Sequence, residues 1–315
     1  MGVFMKIGSK ILKNPYFLAP MAGYTDSTFR TLCSEAGAGL VTTEMVSARG
    51  LIACSGSTQD LLKKQDNEMT AVQIFGDEPC VMADCVQLPE IAGFDIVDIN
   101  MGCPVPKVVS NGMGSALMRD LPLASKIITA VKLHTDKPVT VKFRLGWDSK
   151  SENFLDFAKM CQDSGADSIC MHGRTREQMY AGCANWDKIA LVKQAVSIPV
   201  VGNGDINSKA DALAKMERYG IDAIAIGRGA IGNPWIFAEL TNTDFEQNKL
   251  KIIKRHYEMM LIEAPEKYVI PFMRKQLVFY LKHAGVPRQI RAKLSIESDY
   301  QALLNELDIV FKNLQ

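Results

Sequence analysis

Eight short apolar or β-branched runs, most of them closing on a polar residue or a glycine, recur through the first three quarters of the chain, and nothing else constrains its fold as much. They occupy residues 16–21, 40–44, 70–75, 96–100, 139–144, 168–172, 199–203 and 223–227. Stretches of helical period lie between them, at 25–36, 79–91, 122–134, 151–164, 186–195 and 209–218. Gly37, Gly93, Gly165 and Gly220 each follow a periodic stretch, where a left-handed residue would close a helix. Apolar strands alternating with helices need a parallel sheet covered on both faces, and eight such units close a barrel. An open doubly wound sheet would carry fewer strands and a Gly-x-Gly-x-x-Gly turn after the first, whereas the first run here leads into Ala22-Gly23-Tyr24-Thr25. The expected fold class is α/β, a (β/α)8 TIM barrel.

A barrel takes roughly 250 residues, and the chain has 315. From about Thr243 the pattern becomes helical only, with candidate helices at 244–264, 271–284 and 298–314. The expected organisation is a barrel over residues 1–242 followed by a small all-helical domain over 243–315. Charge divides at the same place: the first part holds 24 basic and 26 acidic side chains, the second 12 and 9. Between Lys267 and Lys293 lie seven basic residues, Arg274, Lys275 and Arg291 among them, and no acidic one, interleaved with Tyr268, Phe272, Phe279 and Tyr280. A solvated helix face and a phosphate-contacting surface both account for that span.

Composition excludes several classes. With 36 Lys and Arg against 35 Asp and Glu and 47% hydrophobic residues, the chain is neither a disordered tail, nor a collagen-like repeat, nor a generally basic nucleic-acid coat. No apolar run is long enough to span a bilayer, and residues 1–17 lack the unbroken apolar stretch of a signal peptide, so no membrane contact and a cytoplasmic location are expected. The eight cysteines are scattered without a Cys-x-x-Cys pair, and most are expected to be buried free thiols.

Barrel enzymes work at the C-terminal ends of their strands. The runs here end in Met21, Glu44, Gln73, Asn100, Lys142 with Arg144, His172, Asn203, and Gly227-Arg228. The last two lead into Gly204-Asp205 and Gly229, which put backbone free of side chains at neighbouring loop tips, where amides converge on a phosphate and Arg228 adds a charged fork. Glycines that only turn the chain would read the same way. Lys142 sits mid-mouth, where a lysine is costly unless it faces an anion. A flavin mononucleotide with its phosphate at the last two loops would lay its ring across the centre, with Lys142 and Gln73 at the ring edge and the Pro20-Met21-Ala22 backbone against it.

Cys103, in Asn100-Met101-Gly102-Cys103-Pro104, lies in a mouth loop with its direction set by the flanking glycine and proline. A thiol there can protonate a carbon beside a flavin-delivered hydride, provided its pKa is not strongly lowered. A nucleophilic role with His172 competes, although no third, orienting residue stands out.

These residues fall in seven ordered motifs: Ala19-Pro20-Met21-Ala22-Gly23 with Thr25-Asp26, Val72-Gln73-Ile74-Phe75-Gly76, Asp98-Ile99-Asn100-Met101-Gly102-Cys103-Pro104, Val141-Lys142-Phe143-Arg144-Leu145-Gly146, His172-Gly173-Arg174-Thr175, Gly202-Asn203-Gly204-Asp205-Ile206 and Ile226-Gly227-Arg228-Gly229-Ala230. Over nearly its whole length the chain resembles the tRNA-dihydrouridine synthases, flavin enzymes with a barrel and a helical RNA-binding domain, and Met101 resembles the bacterial B-type subgroup most. The resemblance implies Cys103 as proton donor. It implies FMN contacts from Pro20, Met21, Ala22, Gln73 and Lys142, then from Asn203, Gly204, Asp205, Gly227 and Arg228, with His172 near the flavin. Asn100 and Arg144 would lie on the uracil side, and Arg274, Lys275 and Arg291 would meet tRNA through their charge. NADPH would reduce FMN, and a uridine in tRNA would become 5,6-dihydrouridine. No obligate protein partner and no metal are implied. Two other readings remain at this point, a free-pyrimidine oxidoreductase of the dihydroorotate type and a non-catalytic RNA-binding barrel.

Overall fold

The computed structural model describes residues 4–64 and 68–314; residues 1–3, part of the amino-terminal stretch read above, lie outside the described residues. An antiparallel hairpin, β1 (Met5–Ile7) and β2 (Lys10–Leu12), opens the chain. Nine parallel strands follow: β3 (Tyr16–Leu18), β4 (Leu40–Thr42), β5 (Val46–Ser47), β6 (Thr70–Phe75), β7 (Ile96–Asn100), β8 (Val139–Arg144), β9 (Ser168–His172), β10 (Val200–Asn203) and β11 (Ala223–Ile226). The two-residue β5 only lengthens the pairing along β6. The other eight form a ring: β3 pairs with β4, β4 with β6, each later strand with the next, and β11 with β3 through Ile226 opposite Leu18. The chain is a (β/α)8 barrel with additional C-terminal helices.

Side-chain alternation builds the interior. Val97, Ile99, Val139, Val141, Ile169 and Met171 point outward into the layer between strands and helices. Their neighbours point inward and are graded along the axis. At the bottom, Phe17, Leu40, Ala71, Ile96 and Val201 close on Met5, Ile7 and Leu12, so the hairpin plugs the barrel. Above that layer the inward residues are polar on the strands from β6 to β10, with Cys170 among them, and small on β11, where they are Ala223 and Ala225.

Element ends depart from the periodicity where chain chemistry intervenes. β3 stops at Leu18, short of residue 21: Pro20 has no amide to offer a ladder, and the Met21 amide donates to Thr25 Oγ1 at 3.0 Å. The stretch at 79–91 is two helices, Pro79–Val86 and Pro89–Ala92. Pro89 pushes Leu88 into an extended conformation, which ends the first. Gly37, Gly165 and Gly220 take positive φ, but Gly93 stays at −72°, so that helix does not end in a left-handed cap.

After the last barrel strand come helices Trp235–Thr241, Lys249–Glu263, Glu266–His283, Arg288–Leu294 and Tyr300–Lys312. Pro271, a natural helix start by its chemistry, instead lies inside Glu266–His283. It forfeits one hydrogen bond, and burial of Val269 and Ile270 in the preceding turn favours helix regardless. The short helix Arg288–Leu294 has too little apolar periodicity to stand out in the sequence. The terminal helices share a continuous core with the barrel: Tyr257 and Tyr280 belong to the same cluster as Phe29 and Leu32. Gln276 Nε2 donates to the Tyr24 carbonyl at 2.9 Å, and Arg255 grips Glu35 with both terminal nitrogens. All eight cysteines are free; Cys54, Cys80 and Cys183 are exposed rather than buried. Among the described residues no helix is long and apolar enough to cross a membrane.

Candidate active site

Inward positions recur every second residue along a strand, so Asp98 and Asn100, Lys142 and Arg144, and Cys170 and His172 reach the barrel axis in pairs. Their upper members line a cavity of about 430 Å³ at the C-terminal ends of the strands, within the ordinary range for a small-molecule or cofactor site. Pro20, Met21 and Ala22 form one wall. Gln73, Asn100 and Cys103 form the next, Lys142, Arg144 and His172 the third, and Asn203, Gly204, Asp205, Gly227 and Arg228 the fourth. Every mouth residue singled out from the sequence is in that lining except Glu44, whose carboxylate turns aside to accept the Gly23 amide.

A chain of hydrogen bonds runs across the floor. Thr140 Oγ1 donates to Asp98 Oδ1 at 2.5 Å, and Gln73 Nε2 donates to Asp98 Oδ2 at 2.6 Å. Asn100 Nδ2 donates to Gln73 Oε1 at 2.8 Å, and Asn100 Oδ1 accepts the Cys103 amide at 2.9 Å and the Gly102 amide at 3.2 Å. Ser115 Oγ donates to the Cys103 carbonyl at 2.9 Å, holding the loop from the other side. Burial pushes the Cys103 thiol up, against weaker opposition from the Val105 amide and the cations Arg144 and Lys142. It is therefore protonated at neutral pH.

Three cations, Lys142, Arg144 and Arg228, line the cavity, and Arg174 stands behind His172. Lys142 Nζ donates to Asn203 Oδ1 at 3.0 Å, and burial lowers its pKa. Arg144 is pinned to the carbonyls of Gly102, Thr175 and Met179, and burial pushes it down to about 10, so it stays charged. Burial, together with Arg144, Lys142, Arg174 and Arg228, holds His172 well below the usual histidine range. Arg174 Nη1 lies 3.3 Å from His172 Nε2. A guanidinium only donates, so the neutral ring carries its proton on Nδ1.

The last two loops form a cradle. Among the described residues, the amides of Gly204, Asp205, Arg228 and Gly229 donate to no protein acceptor. Gly227 borders the cavity, and a Cβ there would meet nothing nearer than Met21 Sδ at 3.6 Å, so any side chain would enter the space. At Gly204 φ is +127°, and a Cβ would press on Ala184 and the His172 ring. The Asp205 carboxylate is itself occupied: against the effect of burial, the Ala184 amide at 2.7 Å and Arg174, at 2.8 Å to both oxygens, hold it below the usual range. Arg228 Nη2 reaches it at 3.1 Å.

Arg274, Lys275 and Arg291 lie outside the cavity lining. Lys275 stands at the rim, its Nζ 4.8 Å from the ring centre of Tyr24, which does line the cavity. Arg274 and Arg291 are half-buried on the terminal helices. The helix that carries Lys275 also supplies Phe279 to the cavity wall.

Several residues escaped sequence reasoning. Asp98 could have been found by alternation, standing two residues before Asn100 on the same strand, whereas Arg174 follows the end of its strand. Tyr180 could not: it comes from an irregular loop, is 55% exposed, and lies between Arg144 and Arg228, whose guanidinium carbons are 5.7 and 5.1 Å from its ring centre.

Residues 17–315 match the family model described as dihydrouridine synthase. A probable tRNA-dihydrouridine synthase of Rickettsia conorii is 39% identical over 316 residues, covering 96% of this chain and 95% of that protein. A tRNA-dihydrouridine synthase B of Pseudomonas putida is 40% identical over 308 residues, covering 95% and 91%. Among solved structures, histamine dehydrogenase from Rhizobium sp. 4-9 superposes with a TM-score of 0.58 at 16% identity over 82% of this chain; the chain spans half the length of that structure, and the likeness is one of fold. With the family match running from the first barrel strand to the final helix, and relatives of near-equal length on both sides of it, the chain belongs to the dihydrouridine synthase family.

Proposed function

We propose that the protein reduces the C5–C6 double bond of specific uridines in tRNA to 5,6-dihydrouridine, using FMN held in the barrel mouth and NADPH as reductant. The observation that carries this reading is the convergence, in one cavity, of four unpaired backbone amides, a half-buried lysine and a protonated thiol. The residues fit the cofactor. The amides of Gly204, Asp205, Arg228 and Gly229, with the Arg228 guanidinium, would hold its phosphate. Lys142 and Gln73 would meet the ring edge, the Pro20-Met21-Ala22 wall and His172 would border the ring, and Asn203 would orient Lys142. Reduced FMN supplies a hydride for C6 of the uracil.

The chain's own residues would do the rest. Cys103 gives its Sγ proton to C5, and burial keeps that proton in place until it is needed. Asn100 and Arg144 would orient the uracil, and Tyr180 offers a face at the rim. A uracil stacked in folded tRNA cannot reach the floor of a barrel mouth, so the nucleotide must be extruded. Residues 243–315 would act as the RNA-binding part, with Arg274, Lys275 and Arg291 against the phosphates on either side. Such an enzyme works where tRNA is, in the cytoplasm. The free-pyrimidine alternative leaves unexplained why one basic helix both lines the mouth with Phe279 and brings Lys275 to its rim.

Cys103→Ala tests the reading. The variant is expected to bind FMN with unchanged affinity and to let NADPH bleach it at the normal rate, while dihydrouridine formed in unmodified tRNA falls by roughly 100-fold or more. Dihydrouridine formation at the wild-type rate would refute the assignment of the proton donor.

A further inference from the structure

The hydrogen-bond chain across the cavity floor has a direction, and its direction is set at both ends. At one end stand the amides of Gly102 and Cys103, which can only donate, so the Asn100 atom facing them must be its oxygen. The Asn100 amide nitrogen then faces Gln73 and requires an oxygen there, which leaves the Gln73 nitrogen facing Asp98. At the other end stands the Asp98 carboxylate, which when ionised can only accept. Two primary amides, each of which could otherwise sit either way round, are thereby given one orientation.

We propose that Asp98 is a positioning residue of the site: as the acceptor at the end of this chain it fixes which way round the Gln73 and Asn100 amides face the cavity, and through Asn100 it fixes the loop that aims Cys103. Asp98 is absent from the lining of the cavity in which the proposed cofactor and the uracil would sit. It is buried under the cavity floor, and Thr140, its only other direct hydrogen-bond partner among the described residues, has a hydroxyl that can turn to donate or accept. Without the carboxylate the Gln73 nitrogen loses its acceptor, and inversion of the Gln73 amide would exchange donor for acceptor on the cavity surface. Asn100 would then lose its tether, leaving the Cys103 amide held by one movable side chain. The consequence for the Cys103 loop is independent of the flavin reading, whereas the consequence for ligand affinity rests on it.

The test compares Asp98→Leu, Asp98→Asn and Gln73→Leu with the wild-type full-length protein. In FMN-free protein, the rate of Cys103 alkylation by iodoacetamide is followed by mass spectrometry of the Cys103 peptide, and FMN affinity is measured separately by quenching of flavin fluorescence. Asp98→Leu and Gln73→Leu are each expected to raise the alkylation rate by about 10-fold or more, and Asp98→Leu to weaken FMN binding to a similar degree. Asp98→Asn should stay within about 3-fold of wild type in both, because Thr140 can accept the new amide nitrogen while the amide oxygen serves Gln73. If Asp98→Leu does not fold, Gln73→Leu breaks the same chain one link further on and decides the question. Wild-type alkylation rates in the folded Leu variants, or an Asp98→Asn variant as perturbed as Asp98→Leu, would overturn the proposal. Wild-type protein that fails to bind FMN would sink the flavin reading while the alkylation comparison still judges the chain.

Discussion

Removing the guanidinium of Arg174 should show how far one buried fork holds the mouth together. Arg174 is 1% exposed. Its Nε donates to the Ala181 carbonyl at 3.0 Å, its Nη2 to the Gly182 carbonyl at 2.6 Å and to both Asp205 oxygens at 2.8 Å, and its Nη1 faces His172. In Arg174→Met the two carbonyls and the His172 nitrogen lose their donor, and Asp205 keeps only the Ala184 amide and the half-exposed Arg228. Breaking one side of a buried ion pair costs about 3–5 kcal/mol. The Asp205 side chain is 28% exposed, so water recovers part of that and the low end, about 3 kcal/mol, applies. At roughly 2 °C per kcal/mol for a chain this long, the midpoint of thermal unfolding should fall by about 6 °C. FMN affinity should fall as well, because Asp205 holds a left-handed φ of 50° in the cradle loop and loses the contact that stabilises it. Arg174→Lys should recover little of either, since an ammonium cannot span two carbonyls and a carboxylate in the same plane. Circular dichroism melts of FMN-free protein and fluorescence titration with FMN measure both; a midpoint within about 2 °C of wild type would refute the reasoning.

Two further outcomes follow from the same geometry. Gly227→Ala should keep the wild-type unfolding midpoint, since its methyl group meets only ordinary contacts, yet weaken FMN binding by filling the cradle; Gly229→Ala should instead lose soluble yield, because its methyl group collides with the Ile206 carbonyl. Asp98, with burial pushing its carboxyl from 3.8 to about 6, binds a proton more tightly in the folded than in the unfolded chain. Its stabilising contribution is therefore complete below pH 3.8 and lost as pH rises through 6, which amounts to about 1.4 kcal/mol between about pH 5.0 and 7.5. Asp98→Asn lacks that dependence, so its urea-unfolding stability relative to wild type should improve by about this amount over that interval, and parallel curves would contradict the shift.

The barrel was legible in the sequence because a parallel strand buried on both faces has no choice but to be apolar, and because its last inward residue escapes that rule only where the mouth opens. That is why Asn100, Lys142, Arg144 and His172 could be picked out of runs that otherwise read as core. The same rule hid Asp98: a polar residue one step below the mouth looks like an interruption of a strand, and only its register opposite Gln73 and Thr140 shows that it is satisfied by side chains of neighbouring strands. Glu44 misled for the converse reason. It ends its run as the others do, but β4 stops at Thr42 and the chain turns before Glu44 can face the axis. Long-range contacts were invisible for a simpler reason. Nothing local in the terminal helices says that Phe279 will line the barrel mouth or that Gly232 must lack a side chain so that the backbone at Tyr280 can lie against it. Yet this packing brings the two parts of the chain together at the cavity: Tyr24 and Phe279 both line it and Lys275 stands against the Tyr24 ring, so the helix that would grip RNA also borders the mouth that a base would have to enter.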